Sequence, residues 1–216
     1  MNWIFLYLIL LLLIIFILGN ILFSIYKNAP AKLKFITSIL LVMLILRYVS
    51  LILMFILQNV QNIYTLRLAV SLNLISIPCV LLLSYYIFLR RDGLKINFMF
   101  SILVSLSLLY FVVMKFVPIS FKIHKVYGYL MNYSLNGWIE ITYILILSLI
   151  LMFCIVSYGS KGSISSGIIM VMVSVMLLIG ESTLILLGFN VDHNTLIGEF
   201  MSLLVLNYAL GTLKKV

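Results

Sequence analysis

Two ionisable residues lie deep within apolar stretches, Arg47 and Glu181. Arg47 follows Lys34 by 13 residues, which is roughly 20 Å along a helix. An arginine at the centre of a bilayer costs about 2.5–3.5 kcal/mol, so its side chain should face other helices and find a partner. Glu181 is the acid placed well inside such a stretch. The sequence therefore predicts an Arg47–Glu181 pair, direct or through water, serving either as the floor of a ligand site or as a structural latch between helices.

The elements that carry these residues are seven apolar stretches, each long enough to cross a bilayer as a helix of roughly 20 residues. Their continuous hydrophobicity does not alternate as the strands of a membrane barrel do. The sequence predicts an all-α membrane protein, a seven-helix bundle formed by residues 1–216 as a single domain. The predicted spans are residues 3–26, 33–57, 66–89, 96–117, 138–158, 164–187 and 196–213.

The charges between the spans predict the orientation, because Lys and Arg are more frequent in short cytoplasmic loops. Four cations fall on one side of the predicted bundle: Arg67, Lys115, Lys122 and Lys125. Nine fall on the other: Lys27, Lys32, Lys34, Arg90, Arg91, Lys95, Lys161, Lys214 and Lys215. We expect the N-terminus outside and the C-terminus inside, in the cytoplasmic membrane of a bacterium. The formal net charge of +9 is then explained without nucleic acid.

Further candidates for ligand binding lie at the outer ends of the helices. The connection 118–137 is the longest and carries Tyr127 and Tyr133, and Arg67 begins the third span on the same side. We expect a small molecule of unknown identity to bind there, near Arg47 and Glu181.

Other polar and conformationally special residues have structural roles in this interpretation. Pro78 is expected to kink the third span or loosen its hydrogen bonds, and Gly180 and Gly188 to permit close packing or bending of the sixth. Glu140 and Glu199 are interpreted as carboxylates favoured by a helix N-terminus.

Enzyme function is not expected, because the sequence has none of the motifs HExxH, CxxC, GxSxG or a phosphate-binding glycine loop. The histidines, His124 and His193, have no ligand at metal spacing, so neither a metal nor another cofactor is expected.

Three segments resemble the seven-helix N-terminal region of certain bacterial sensor histidine kinases. They are RLAVSLNLISIPCVLLLSYYIFLRR, KVYGYLMNYSLNGWIEITYILILSLI and LLGFNVDHNTLIGEFMSLLVLNYAL. The matching features are Pro78 with the tyrosines after it, the pair Tyr127-Gly128, and Gly188 with Asp192 and Thr195. The chain departs from the family where Gly180, Glu181 and Ser182 replace a usual proline.

The resemblance implies a sensor or receptor-like module in contact with the lipid bilayer. These 216 residues include no kinase domain, so such a module would signal through a separate cytoplasmic or membrane protein. Two alternatives stay open: a small transporter or permease subunit, and a non-signalling membrane partner such as an immunity protein.

Overall fold

The computed structural model describes residues 3–56, 64–89, 96–124, 128–133, 137–160, 162–188 and 195–213. Within these ranges, seven helical spans are long and apolar enough to cross a membrane. The predicted all-α, seven-helix architecture is confirmed. In chain order the spans are Trp3–Asn28, Ala31–Ile56, Arg67–Val70 continued by Asn73–Leu89, Ile96–Phe116, Trp138–Ser157, Ser165–Leu186 and Leu196–Leu213.

The third span is central and is the most buried of the seven. It packs against the second, fourth, fifth, sixth and seventh spans. The surrounding six form a ring whose packed neighbours are first with second, second with fourth, fifth with sixth, sixth with seventh, and seventh with first. The fourth and fifth spans are not a packed pair among the described residues, so the ring is open on that side.

A small antiparallel hairpin joins the fourth and fifth spans, from Ile119–His124 (β1) to Gly128–Tyr133 (β2), with Ile119 opposite Tyr133. We call the end of the bundle that carries it the hairpin end. The second span ends there and the third and seventh begin there. The hairpin was not predicted, although apolar and polar residues alternate along ISFKIH as in a half-exposed strand.

Each outer helix divides into a buried stripe and a lipid-facing surface. In the first span the buried residues recur every three or four positions, which is the period of one face of a helix; they are Tyr7, Leu11, Ile14, Leu18, Ile21 and Ile25. Large apolar residues such as Phe16 and Phe23 are exposed on the other faces. In a bilayer this exposure is expected, because lipid chains are as apolar as the side chains they touch.

Close contacts hold the opposite end together. The Lys34 ammonium donates to the Tyr26 carbonyl oxygen at 2.9 Å and lies 5.5 Å from the centre of the Tyr26 ring. The backbone N–H of Ile164 donates to the carbonyl oxygen of Phe88 at 2.9 Å, which ties the start of the sixth span to the third. Gly167 packs on Phe88 so closely that a Cβ atom there would lie 2.3 Å from the ring.

Candidate functional site

Arg47 forms a buried ion pair with Glu199 of the seventh span. Its side chain is only 2% exposed, and that of Glu199 is fully buried. The expectation that Arg47 faces the bundle and finds an acidic partner is confirmed. The predicted partner was Glu181, whereas the carboxylate on Arg47 is that of Glu199, which also lies in the first turn of its helix as expected.

Three further side chains donate to the same carboxylate. The Tyr48 hydroxyl donates to Oε2 at 2.6 Å, the Thr195 hydroxyl to Oε1 at 2.7 Å and the Asn73 amide to Oε1 at 3.3 Å. With Arg47 on Oε2, each oxygen has two donors, which fills the roughly four acceptor positions of a carboxylate. We call Arg47, Tyr48, Asn73, Thr195 and Glu199 the charge network. It joins the second, third and seventh spans at the hairpin end.

A break in the third span supplies Arg47 with a second acceptor. In a continuous helix the Leu74 N–H would bond to the Val70 carbonyl, but it bonds to Ser71 at 3.1 Å. The Val70 carbonyl thereby becomes free and accepts a hydrogen bond from Arg47 Nε at 3.0 Å. The same break allows Asn73 to begin a new helix beside Glu199. The interruption of the span therefore contributes directly to the binding of the buried cation.

Thr195, immediately before the seventh span, adopts a left-handed backbone conformation with φ of 47°. This conformation is unfavourable for a β-branched residue and costs on the order of 1–3 kcal/mol. In this position its carbonyl accepts the Glu199 N–H at 3.1 Å while its hydroxyl donates to the Glu199 carboxylate. The strain is thus located where the chain turns to hold the carboxylate.

Glu181 has a different role from the one predicted. Its two carboxylate oxygens accept backbone hydrogen bonds from the N–H groups of Ile197 at 3.1 Å and Gly198 at 2.9 Å. These amides lie in the first turn of the seventh span, where the N–H groups have no partner within the helix. A Cβ at Gly198 would lie 2.9 Å from Glu181 Oε2 and 2.7 Å from Leu178. Glu181 therefore caps the neighbouring helix, and glycine permits the close approach.

Tyr143 of the fifth span is a further polar residue buried in the bundle. It is 5% exposed, and its hydroxyl has no hydrogen-bond partner among the described residues. It lies within electrostatic range of Glu199, Arg47 and Glu181. A buried hydroxyl without a partner is unusual and costs about 1–3 kcal/mol. Tyr143 is therefore a buried hydroxyl without a hydrogen-bond partner among the described residues, and it was not among the residues predicted from the sequence.

The remaining predicted residues are more dispersed. Arg67 is half-buried at the hairpin end, Tyr127 lies outside the described residues, and only the backbone of Tyr133 is described, at the end of β2. Pro78 lies inside the helix Asn73–Leu89, and the break in its span is at Ser71 and Leu72 instead.

The two predicted glycines differ from each other. Gly188 has φ of 80° and ends the sixth span, donating from its N–H to Ile185. Gly180 has open space around it, so close packing does not require a glycine there. Glu140 lies in the first turn of the fifth span, and its Oε2 has no partner among the described residues.

One sequence signal would have pointed to Glu199. It shares its helix face with Ser202, Leu203 and Leu206, a spacing of three, four and seven residues that marks a buried stripe. An acid in phase with such a stripe faces the bundle rather than the lipid headgroups. Neither a protein family nor a curated protein matches this chain.

Proposed function

We propose that the protein is a membrane sensor or receptor-like module that signals through a separate protein. The observation that carries this proposal is the buried Arg47–Glu199 pair, held by three further donors: Tyr48 of the second span, Asn73 of the third, and Thr195 just before the seventh. Ionisable residues within a membrane are costly and most often mark functional sites. The resemblance to the seven-helix region of sensor histidine kinases supports the same class.

The charge network has the properties of a two-state element. A buried ion pair adds little net stability compared with apolar packing, but loss of one partner is costly. Because the Glu199 carboxylate already accepts four hydrogen bonds, any group that approaches it must displace a donor. Such an exchange shifts the second, third and seventh spans relative to one another. A ligand that favours the exchanged arrangement would shift the population towards it.

The central third span connects the charge network to the opposite end of the bundle, so a shift at the network is transmitted through it. Its longer helix begins with Asn73 in the charge network and ends beside the sixth span, where the Phe88 carbonyl accepts from Ile164. Lys27, Lys32 and Lys34 lie at this opposite end, which we place in the cytoplasm from the distribution of cations. A signalling partner would contact this basic end.

The distribution of polar groups favours a sensor over a transporter. Among the described residues, the charged side chains of the core are concentrated at the hairpin end. Towards the opposite end, the fully buried side chains of the second and seventh spans include Leu40, Leu41, Leu44, Leu203 and Leu206. Buried serines here mostly bond to their own helix, as Ser84 does to the Val80 carbonyl. A transporter would need polar groups along the whole path.

The test compares two matched variants, Glu199→Gln and Glu181→Gln, with the wild type. Each tagged protein is purified from its native membrane in mild detergent, and partners are identified by mass spectrometry. We expect the wild type and Glu181→Gln to recover the same kinase, phosphatase or transcriptional regulator. We expect Glu199→Gln to change both the recovery and the activity of that output protein.

Two results would contradict the proposal. An output protein whose activity is the same with all three chains would separate the network from signalling. Substrate uptake by the purified protein in proteoliposomes, lost in Glu199→Gln, would show that the network serves transport.

A further inference from the structure

A cavity of about 70 Å³ lies between the third, fourth and fifth spans. Its walls include Leu74 and Ile75 of the third span, Leu106 and Leu109 of the fourth, and Tyr143 and Ile146 of the fifth. It coincides with the opening in the ring, where the fourth and fifth spans are not packed together. Leu109 is 52% exposed and Thr142, also in the wall, is exposed, so the cavity opens onto the lipid-facing surface.

The position and lining of this cavity determine what can enter it. The opening lies within the membrane-spanning part of the fourth and fifth spans, so it is continuous with the surface that lipid covers. The lining is almost entirely apolar, and its volume is roughly half that of a closed cavity that holds benzene. A short stretch of one hydrocarbon chain fits this description, with the rest of the molecule remaining in the bilayer.

The two tyrosines of the wall differ in how they are held. The Tyr110 hydroxyl donates to the Leu68 carbonyl at 2.5 Å and lies 2.9 Å from the Ser71 hydroxyl, so this ring is anchored to the third span. The Tyr143 hydroxyl has no such anchor among the described residues. Its ring lines the cavity, while its hydroxyl is buried within electrostatic range of Glu199 and Arg47.

We propose that this cavity binds the acyl chain of a membrane lipid, which enters sideways between the fourth and fifth spans, and that Tyr143 transmits its presence to the charge network. A chain against the ring restricts where the Tyr143 side chain lies. In this proposal its unsatisfied hydroxyl is a donor that replaces one of the four on Glu199. The binding site stands by itself, whereas the transmission to Glu199 rests on the proposed function.

The first experiment tests the site by photolabelling. The full chain is placed in nanodiscs of phosphatidylcholine that include phosphatidylcholine with a diazirine in one acyl chain, and adducts are mapped by mass spectrometry. We expect several-fold more adducts at Leu109 and Ile146 than at Leu108 and Leu149, which are exposed to lipid outside the cavity. Ile146→Trp, which fills the cavity, should remove the excess at Leu109, and Leu149→Trp should not. Equal labelling of all four positions would overturn the site.

The second experiment tests the role of Tyr143. Amide hydrogen exchange is measured at the start of the seventh span in three backgrounds: wild type, Tyr143→Phe and Tyr110→Phe. Each background is compared with and without the Ile146→Trp substitution. We expect filling the cavity to change exchange there in the wild-type and Tyr110→Phe backgrounds, and to have no effect in Tyr143→Phe. An equal change in all three backgrounds, or no change in any, would overturn the role of Tyr143. If Glu199→Gln left the activity of the output protein unchanged, the proposed function would fail, but a positive photolabelling result would still support the lipid site.

Discussion

Glu181 and Glu199 are both glutamates on neighbouring helices at one end of the bundle, yet their carboxylates are stabilised in different ways. Glu199 is fully buried and accepts hydrogen bonds from side chains of the second and third spans and from Thr195, with an arginine as its counter-charge. Glu181 accepts from the backbone of the seventh span, whose N-terminus provides the positive end of a dipole. One acid is paired with a cation, and the other accepts hydrogen bonds from a helix end. The difference predicts how each responds to substitution.

The largest effect is expected from Arg47→Ala. This change leaves the Glu199 carboxylate buried without a counter-charge, which lowers the free energy of unfolding by about 3–5 kcal/mol. Denaturant titration in bicelles, followed by circular dichroism, would measure it. Arg67→Ala is the control, since it removes a half-buried cation from the same end without touching Glu199, and it should cost under about 1 kcal/mol.

A double variant would sharpen this result. Arg47→Met combined with Glu199→Gln removes both charges, and it should cost less than the sum of the two single changes. Strict additivity would mean that the two side chains do not interact in the membrane.

The next largest effect distinguishes Glu199 from Glu181 by the loss of stability when each is replaced by glutamine. Glu199→Gln keeps the shape but places an NH₂ group among donors and leaves Arg47 without its anion, at a cost of about 2–3 kcal/mol. Glu181→Gln keeps an oxygen that accepts from the backbone and should cost under about 1 kcal/mol. Thermal unfolding of both variants in the same detergent is the measurement. Equal losses would show that the two acids are interchangeable.

Tyr48→Phe is expected to have a smaller effect. It removes a hydroxyl that donates to a buried carboxylate but keeps the ring next to the Arg47 guanidinium, so the loss is about 1.5–2 kcal/mol. Tyr85→Phe, at the opposite end, is the matched control. There the Ser157 hydroxyl keeps its bond to the Phe153 carbonyl, and the change should be close to neutral. A larger loss for Tyr85→Phe than for Tyr48→Phe would contradict the importance of the network.

The smallest effects are expected from substitutions of two glycines near Glu181, Gly198 and Gly180. Gly198→Ala would push the seventh span away from Leu178 and Glu181, at a cost of about 1–2 kcal/mol. Gly180→Ala meets no atom within 4 Å and should stabilise the sixth span by about 0.5–1 kcal/mol. Unfolding titrations of the pair would reveal the sign of each, and a stabilising Gly198→Ala would contradict the tight contact.

Much of the fold follows from the sequence, because apolar length fixes the spans and the energetic cost of a buried charge fixes the inward direction of Arg47. The choice between Glu181 and Glu199 depends on which helices are neighbours, and spacing along one helix contains no information about lateral order. The break at Ser71 and Leu72 was also not predicted, because Pro78 is the stronger local signal for a helix kink. The hairpin was missed because strand alternation in 118–137 was interpreted as a loop between spans.

Arg47 and Glu199 are 152 positions apart in the sequence, and this separation has a consequence for biogenesis. At typical synthesis rates of about 5–20 residues per second, the ribosome needs roughly 8–30 s to translate that interval. During this time Arg47 enters the bilayer before its carboxylate exists, and its long side chain must reach towards the lipid headgroups. Insertion of the seventh helix therefore supplies the counter-charge of Arg47. A chain stalled before that helix would expose an uncompensated arginine to membrane quality control.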